Sequence, residues 1–317
     1  MSKNILVLLH LSESEKALLE RKAPSCSFVY ADRKSLTAEM VQQANAIIGN
    51  PPLDMVKDSP NLEWVQLNSA GAGEYTAEGA LPEGVVLTNA SGAYGLAISE
   101  HMLGMLLSLY KNLHLYRDNQ ADSKWQYAGK AKSIQGSTAL IVGLGDIGSE
   151  FAKRLKALGA YTIGIRRTNP DKPEYLDELH FMDQLENLLP RADIVSLSLP
   201  STPLTYRIIN KKTIALMKKD AVLLNVGRGT AIDTEALCDA LESGRLLGAA
   251  LDVTDPEPLP AGHRLWKMKN VLITPHVSGG YSLEETWNRV FKICADNLEA
   301  YVKGQELKRR VDLRAGY

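Results

Sequence analysis

The sequence predicts an α/β fold of two doubly wound parallel-sheet domains. Three observations predict it. Short β-rich runs alternate with helix-like segments through the first hundred residues and again after residue 138, the pattern of parallel strands covered by helices. At 317 residues the chain is about twice an ordinary domain of roughly 150 residues. A glycine-rich turn, Gly143-Leu-Gly145-Asp-Ile-Gly148, stands between an apolar run and a helical segment near the middle.

The elements follow in order. In the first half the β-runs are 5–9, 27–30, 46–49, 64–67 and 85–87, punctuated by Pro51-Pro52, Pro60, Gly71-x-Gly73 and Pro82-x-Gly84, the turn chemistry of strand ends. Residues 98–115 are apolar around most of a helix, with Ser99 as the expected N-cap, so this helix needs burial on several sides. A second series of β-runs, 138–142, 161–165, 194–199, 221–225, 247–251 and 271–274, supplies the six strands of a dinucleotide-binding fold. Residues 283–302 form a last helix that returns the chain to the first domain.

Composition removes several functions. Lys and Arg number 36 against 37 Asp and Glu, and aromatics are 6 %, so no basic field with stacking platforms awaits a nucleic acid. Cys26, Cys238 and Cys294 form no C-x-x-C pair, which fits core thiols in a reducing compartment. The longest apolar stretch, 102–109, is far short of the about 18 residues a membrane span needs, and residues 5–9 do not have the shape of a signal peptide. A cytoplasmic location is the expectation. No His/Cys spacing suggests a metal.

The glycine turn carries the first chemistry. Placed between strand and helix, Gly143 makes the tight turn, Gly145 lets backbone amides approach a pyrophosphate, and Gly148 lets the helix pack on the strand. About 20 residues further on, an acidic side chain would accept the ribose hydroxyls of NAD. Arg166-Arg167-Thr168 stands there instead. Two guanidiniums and a hydroxyl suit a 2′-phosphate, so NADP is the expected cofactor, with NAD kept open.

Three later strand ends carry ionisable groups: Asn225-Val-Gly-Arg228-Gly229, Asp252-Val-Thr-Asp-Pro-Glu257-Pro258 and Thr274-Pro-His276-Val-Ser-Gly279. Ligands of open parallel sheets bind beyond the carboxyl ends of strands, so these groups converge. A fixed cation, a carboxylate and an imidazole are what reduction of a 2-oxo acid requires. Arg228 would hold the substrate carboxylate, His276 would give a proton to the carbonyl oxygen, and Glu257 would keep that imidazole protonated.

These motifs, in this order, resemble those of the D-isomer-specific 2-hydroxyacid dehydrogenase family over nearly the whole chain. The resemblance implies a flavodoxin-like substrate-binding domain, 1–98 with 283–317, and an inserted Rossmann dinucleotide-binding domain, 99–282. It gives Arg228, Glu257 and His276 the catalytic roles. It places the substrate carboxylate on the backbone of Ser69, Ala70, Gly71 and Ala72, with Arg228 and His276. Further cofactor contacts fall on Asp146, Ile147, Leu199, Pro200, Thr205, Val226, Gly227, Asp252, His276, Ser278 and Gly279. It also implies a two-fold homodimer formed through the apolar helix. Trp125 reads either as a packing group or as a residue near a subunit boundary.

Two departures shape the expectation: Arg166 replaces the usual acidic ribose ligand, and Ser69 stands where members acting on phosphoglycerate carry arginine. An unphosphorylated, glyoxylate- or hydroxypyruvate-like substrate is therefore expected. The alternatives are a dinucleotide-sensing, corepressor-like interaction protein and, among enzymes, formate oxidation, for which relatives carry glutamine at the place of Glu257. Of the remaining histidines, His101 and His114 read as packing groups, His180 and His263 as surface groups, and His10 as a pocket-lining candidate.

Overall fold

A computed structural model describes residues 2–316. They form two compact units, one of residues up to 94 together with those from 281 onward, the other of residues 95–280. Both are parallel α/β layers.

The first unit contains β1 (Asn4–Val7), α1 (Glu13–Lys22), β2 (Ser27–Tyr30), α2 (Ala38–Gln43), β3 (Ala46–Ile48), α3 (Leu53–Val56), β4 (Trp64–Gln66) and β5 (Val86–Thr88). The second begins with α4 (Gly95–Tyr110) and α5 (Leu113–Ala121) and continues with β6 (Thr138–Val142), α6 (Asp146–Ala157), β7 (Tyr161–Arg166) and β8 (Glu178–Phe181). After these come α7 (Leu185–Leu188), β9 (Ile194–Leu197), α8 (Lys211–Leu216), β10 (Val222–Asn225), α9 (Thr234–Glu242), β11 (Gly248–Leu251) and β12 (Val271–Ile273). Helix α10 (Glu284–Val302) then rejoins the first unit.

The smaller sheet has the order β2-β1-β3-β4-β5, the flavodoxin-like winding. The larger runs β12-β11-β10-β9-β6-β7-β8, so the order reverses between β6 and β9, as in a Rossmann sheet with one added strand. Strands buried on both faces read as continuous apolar runs; Ala139 to Val142 and Val222 to Leu224 are at most 1 % exposed.

The strand that periodicity missed is β8. It is an edge strand paired only with β7, and its Glu178 and His180 break any apolar run. Charge partners hold it instead: Glu178 accepts from Tyr161 (2.8 Å), Arg191 and His180 (2.7 Å). A second difference is the long apolar helix, which begins at Gly95, ahead of the expected start. Ser99 lies inside it, buried, its hydroxyl turned back to the Leu96 carbonyl (3.0 Å), so it is not the N-cap. The first amide is held by the Asp146 carboxylate (2.7 Å). Asn112 takes a left-handed conformation, φ +57°, and splits off α5.

A buried polar chain fastens α10 to the smaller sheet. Trp64 Nε1 donates to Thr88 Oγ1 (2.9 Å), Thr88 to Gln66 Oε1 (2.7 Å), and Asn297 Nδ2 to the same oxygen (2.7 Å). Asn297 also bonds the carbonyl and amide of Lys308 (2.9 and 3.0 Å). All four side chains are almost wholly buried, so each broken bond strands a polar group away from water. Asn297→Ala should lower unfolding free energy by about 2–3 kcal/mol in urea titration. A loss too small to measure would mean that water replaces the amide.

Candidate active site

Register puts one row of strand ends at the same level: Val142 pairs with Ile165 and Leu197, Leu197 with Asn225, Asn225 with Leu251, and Leu251 with Ile273. The loops carrying every candidate residue of the larger unit therefore leave from one edge of its sheet. Parallel pairing alone brings them together.

At the switch point, Gly143 has φ +100° and lies so close to the β9 end that a Cβ would meet the Ser198 carbonyl at 2.6 Å. A Cβ on Gly148 would stand 1.9 Å from the Gly143 carbonyl. Gly145, by contrast, faces open space and is the N-cap of α6 without a side-chain capping bond. The first turn of that helix thus keeps amides and a positive dipole end for an anion, which fits a dinucleotide pyrophosphate. The Asp146 carboxylate is turned onto the first amide of α4, and Ile147 is half-buried. Leu199 and Pro200 follow β9, where the Thr205 hydroxyl donates to the Pro200 carbonyl (2.6 Å) and closes the turn.

Arg166 ends β7, and exposed Arg167 and Thr168 follow it. The Nε of Arg166 is buried without a hydrogen-bond partner among the described residues, and its NH1 reaches the Asn169 and Asp171 carbonyls only at 3.5 Å. A guanidinium so weakly engaged fits an anionic ligand group at this strand end.

After β10 the buried Asn225 side chain accepts from the Gly227 amide (3.1 Å) and donates to the Arg228 carbonyl (2.9 Å), folding Val226, Gly227 and Arg228 into a tight turn. Sequence reasoning gave Asn225 no role; an amide side chain at a strand end, two residues before glycine, was the available signal. Arg228 is half-buried and bonds the Gly227 carbonyl through NH1 (2.8 Å). A Cβ on Gly229 would lie 1.9 Å from the Thr254 carbonyl, so glycine is what lets this turn pack against the segment leading to Glu257.

Glu257 Oε1 and His276 Nδ1 are 2.6 Å apart. Because a carboxylate only accepts, the proton lies on Nδ1, and Nε2, without a partner among the described residues, is free to exchange protons. Both side chains are open to solvent, 48 % for His276 and 42 % for Glu257. His276 itself has φ +52°, a left-handed conformation that costs a non-glycine residue about 1–3 kcal/mol. Its amide donates to the carbonyls of Asp252 (2.8 Å) and Thr274 (3.0 Å).

Asp252 is 1 % exposed. Its carboxylate accepts from the amides of Val277 (3.0 Å) and Ser278 (3.2 Å) and from the hydroxyls of Ser278 and Thr274. Burial pushes its pKa up, but these hydrogen bonds, those of Ser278 and Thr274 foremost, together outweigh burial and hold it below the ordinary value. Gly279 follows in the same loop. His101, expected as a packing group, points from α4 to Thr274 Oγ1 (3.0 Å) and lies 4.0 Å from Asp252 Oδ1.

In the smaller unit the loop of Ser69, Ala70, Gly71 and Ala72 follows β4. Asn50 Oδ1 accepts from the Asn68 amide (3.0 Å), and its Nδ2 meets Ser69 Oγ (3.1 Å). The hydroxyls of Tyr94 and Tyr281 donate to the Asn68 carbonyl. His10 is exposed, His114 bonds the Ser108 carbonyl (3.1 Å), and His180 pairs with Glu178. His263 is not a free surface group: its Nδ1 accepts from the Leu265 amide (3.2 Å). Among the described residues no helix is long and apolar enough to cross a membrane.

The Asp252 pKa carries a sign. A depressed folded value contributes stability above the unfolded value, about 3.9, and that stability is lost as pH falls through the folded value. The stability difference between wild type and Asp252→Asn should therefore be full near pH 6 and shrink below about pH 4. A gap that stays constant in urea titrations from pH 6 to pH 3 would mean that folding does not change the proton affinity of this carboxyl, and a wild-type advantage that grows as pH falls from 6 to 4 would mean that it is buried neutral.

A family model described as D-isomer specific 2-hydroxyacid dehydrogenase, NAD binding domain, matches residues 103–278. The chain is 34 % identical over 261 residues to a glyoxylate reductase of Thermofilum pendens, covering 80 % of this chain and 75 % of the relative. A D-isomer specific 2-hydroxyacid dehydrogenase family protein from Aeromonas salmonicida superposes with a TM-score of 0.87 at 31 % identity, over 99 % of this chain and 100 % of the other. A D-isomer specific 2-hydroxyacid dehydrogenase from Xanthobacter autotrophicus, solved with NADPH and MES, superposes with a TM-score of 0.84 at 27 % identity over the full length of both chains. Matching the family model over more than half its length, and its relatives over most of theirs, the chain belongs to the D-isomer specific 2-hydroxyacid dehydrogenases and is an NAD(P)-dependent oxidoreductase.

Proposed function

We propose that the protein reduces small, unphosphorylated 2-oxo acids, with glyoxylate the first candidate and hydroxypyruvate next, to D-2-hydroxy acids, and that it favours NADPH. The observation that carries the reaction is the Glu257–His276 pair, held at 2.6 Å with Nε2 open, on the same sheet edge as Arg228. Arg228 binds the substrate carboxylate. His276 Nε2–H gives its proton to the carbonyl oxygen. Glu257 stabilises the imidazolium before transfer and fixes the ring afterwards. When bound, the reduced nicotinamide supplies the hydride that arrives at the carbonyl carbon. The likeness to a glyoxylate reductase supports the substrate class. Nothing in the site favours the dinucleotide-sensing alternative.

His276→Ala should lower kcat for glyoxylate by about 10²- to 10⁴-fold while cofactor affinity persists, because the proton donor alone is lost. Near-normal kcat would remove His276 from the mechanism.

Support for NADPH comes from Arg166 and Arg167 at the place of an acidic residue, and from the relative solved with NADPH. Each charge-assisted bond to a 2′-phosphate contributes about 1.5–3 kcal/mol before solvent screening. A net gain of about 1.4–2.8 kcal/mol is a ten- to hundredfold preference. Arg166→Asp should abolish it, chiefly through the cofactor KM. Wild-type kcat/KM with NADH equal to that with NADPH would refute the assignment.

The homodimer is likewise our proposal. Trp125, Tyr127 and Leu113 of the larger unit are well exposed, and a second copy would cover them.

A further inference from the structure

We infer that His101 is a positioning residue for the proton donor, acting through Thr274 and Asp252; the inference rests on the reading of His276 given above. Donor and acceptor counting directs the chain. Thr274 has one hydroxyl proton, and it goes to Asp252 Oδ1, since an ionised carboxylate has none to give. Thr274 Oγ1 can therefore only accept from His101, 3.0 Å away, and the His101 proton lies on Nε2. The bonds run in one direction: His101 Nε2–H to Thr274 Oγ1–H to Asp252 Oδ1.

That direction bears on His276. Asp252 Oδ1 is the oxygen that also accepts the Val277 amide, and the Asp252 backbone carbonyl takes the amide of His276. These bonds hold a left-handed residue that an unsupported loop would release. Thr274 starts the loop and Asp252 folds its far side, so the Thr274 hydroxyl orientation sets both. His101, 26 % exposed on α4, is the outside group that fixes that orientation. A leucine of similar bulk would fill the place without donating, and Thr274 Oγ1 would lose its only donor among the described residues. A glutamine carries an amide N–H at nearly the reach of Nε2 and would restore it.

The role separates from simple packing by four variants read in two ways. His101→Leu should lower kcat for glyoxylate about 10- to 100-fold with cofactor Kd little changed, because a donor displaced by a fraction of an ångström is a poor one. In the apo protein, amide hydrogen exchange at Val277 and Ser278 should accelerate, while the sheet amides of β10 and β11 keep their protection. His101→Gln should restore both readouts. Thr274→Val should reproduce His101→Leu, and the double variant should be no worse than either single one, since both cut one chain.

Wild-type kcat in His101→Leu, failure of glutamine to rescue, or additive losses in the double variant would each overturn the inference. If the leucine variant does not fold, His101→Gln against His101→Asn, whose shorter amide falls short of Thr274 Oγ1, decides the same question: wild-type readouts in glutamine and losses in asparagine support the inference, and equal readouts overturn it. An unaltered His276→Ala enzyme would instead overturn the underlying reading, so the two failures are distinguishable.

Discussion

A carboxylate removed from water must be surrounded by donors, and at Asp252 that requirement organises the loop carrying His276. Two backbone amides and two hydroxyls converge on it. Its own carbonyl takes the amide of His276. Burying an ionised group without such partners would cost several kcal/mol, so the loop has no comparable alternative conformation. The rigidity of the Glu257–His276 contact follows. Solvent-exposed partners 2.6 Å apart would contribute little by themselves, but a backbone fixed on one side gives the imidazole a single orientation.

The parallel sheet makes the second contribution. Each connection must pass back over the sheet, so all functional loops leave one edge and none needs to be long. Two glycines then set distances that no side chain permits: Gly148 draws α6 against the β6 turn, and Gly229 lays the Arg228 turn on the segment before Glu257. The constraint is steric, and it acts independently of the charges it brings together.

Legibility in the sequence follows from these causes. Strands buried on both faces show as apolar runs, which is why β6 and β10 can be read directly, while β8, tied by Glu178 to Tyr161 and Arg191, shows no run. The break after α4 was invisible because Asn112 enters a conformation that any asparagine can take but few must. That the Arg228, Glu257 and His276 loops leave one edge of the sheet was legible because each follows an apolar strand run. Asn225 and His101 were not, because their work is to hold others, and a polar side chain on an apolar helix reads equally as packing. Ser99 misled for a related reason: a serine near an apolar start reads as a cap, yet the α4 amide is capped from far along the chain by Asp146.

The sheet also separates Arg166 from the Glu257–His276 pair. Arg166 ends β7 and His276 follows β12, five strand spacings apart in the order β12-β11-β10-β9-β6-β7. At about 4.8 Å per spacing that is roughly 24 Å, well beyond the about 8–10 Å over which exposed charges act in physiological salt. A charge reversal at Arg166 therefore leaves the field at the Glu257–His276 pair nearly unchanged. The backbone at Arg166 is fixed by β7–β8 pairing, and that at His276 by Asp252, so among the described residues no shared hydrogen bond links the two either. One end of the row can therefore change its charge while the other keeps its hydrogen-bonded geometry.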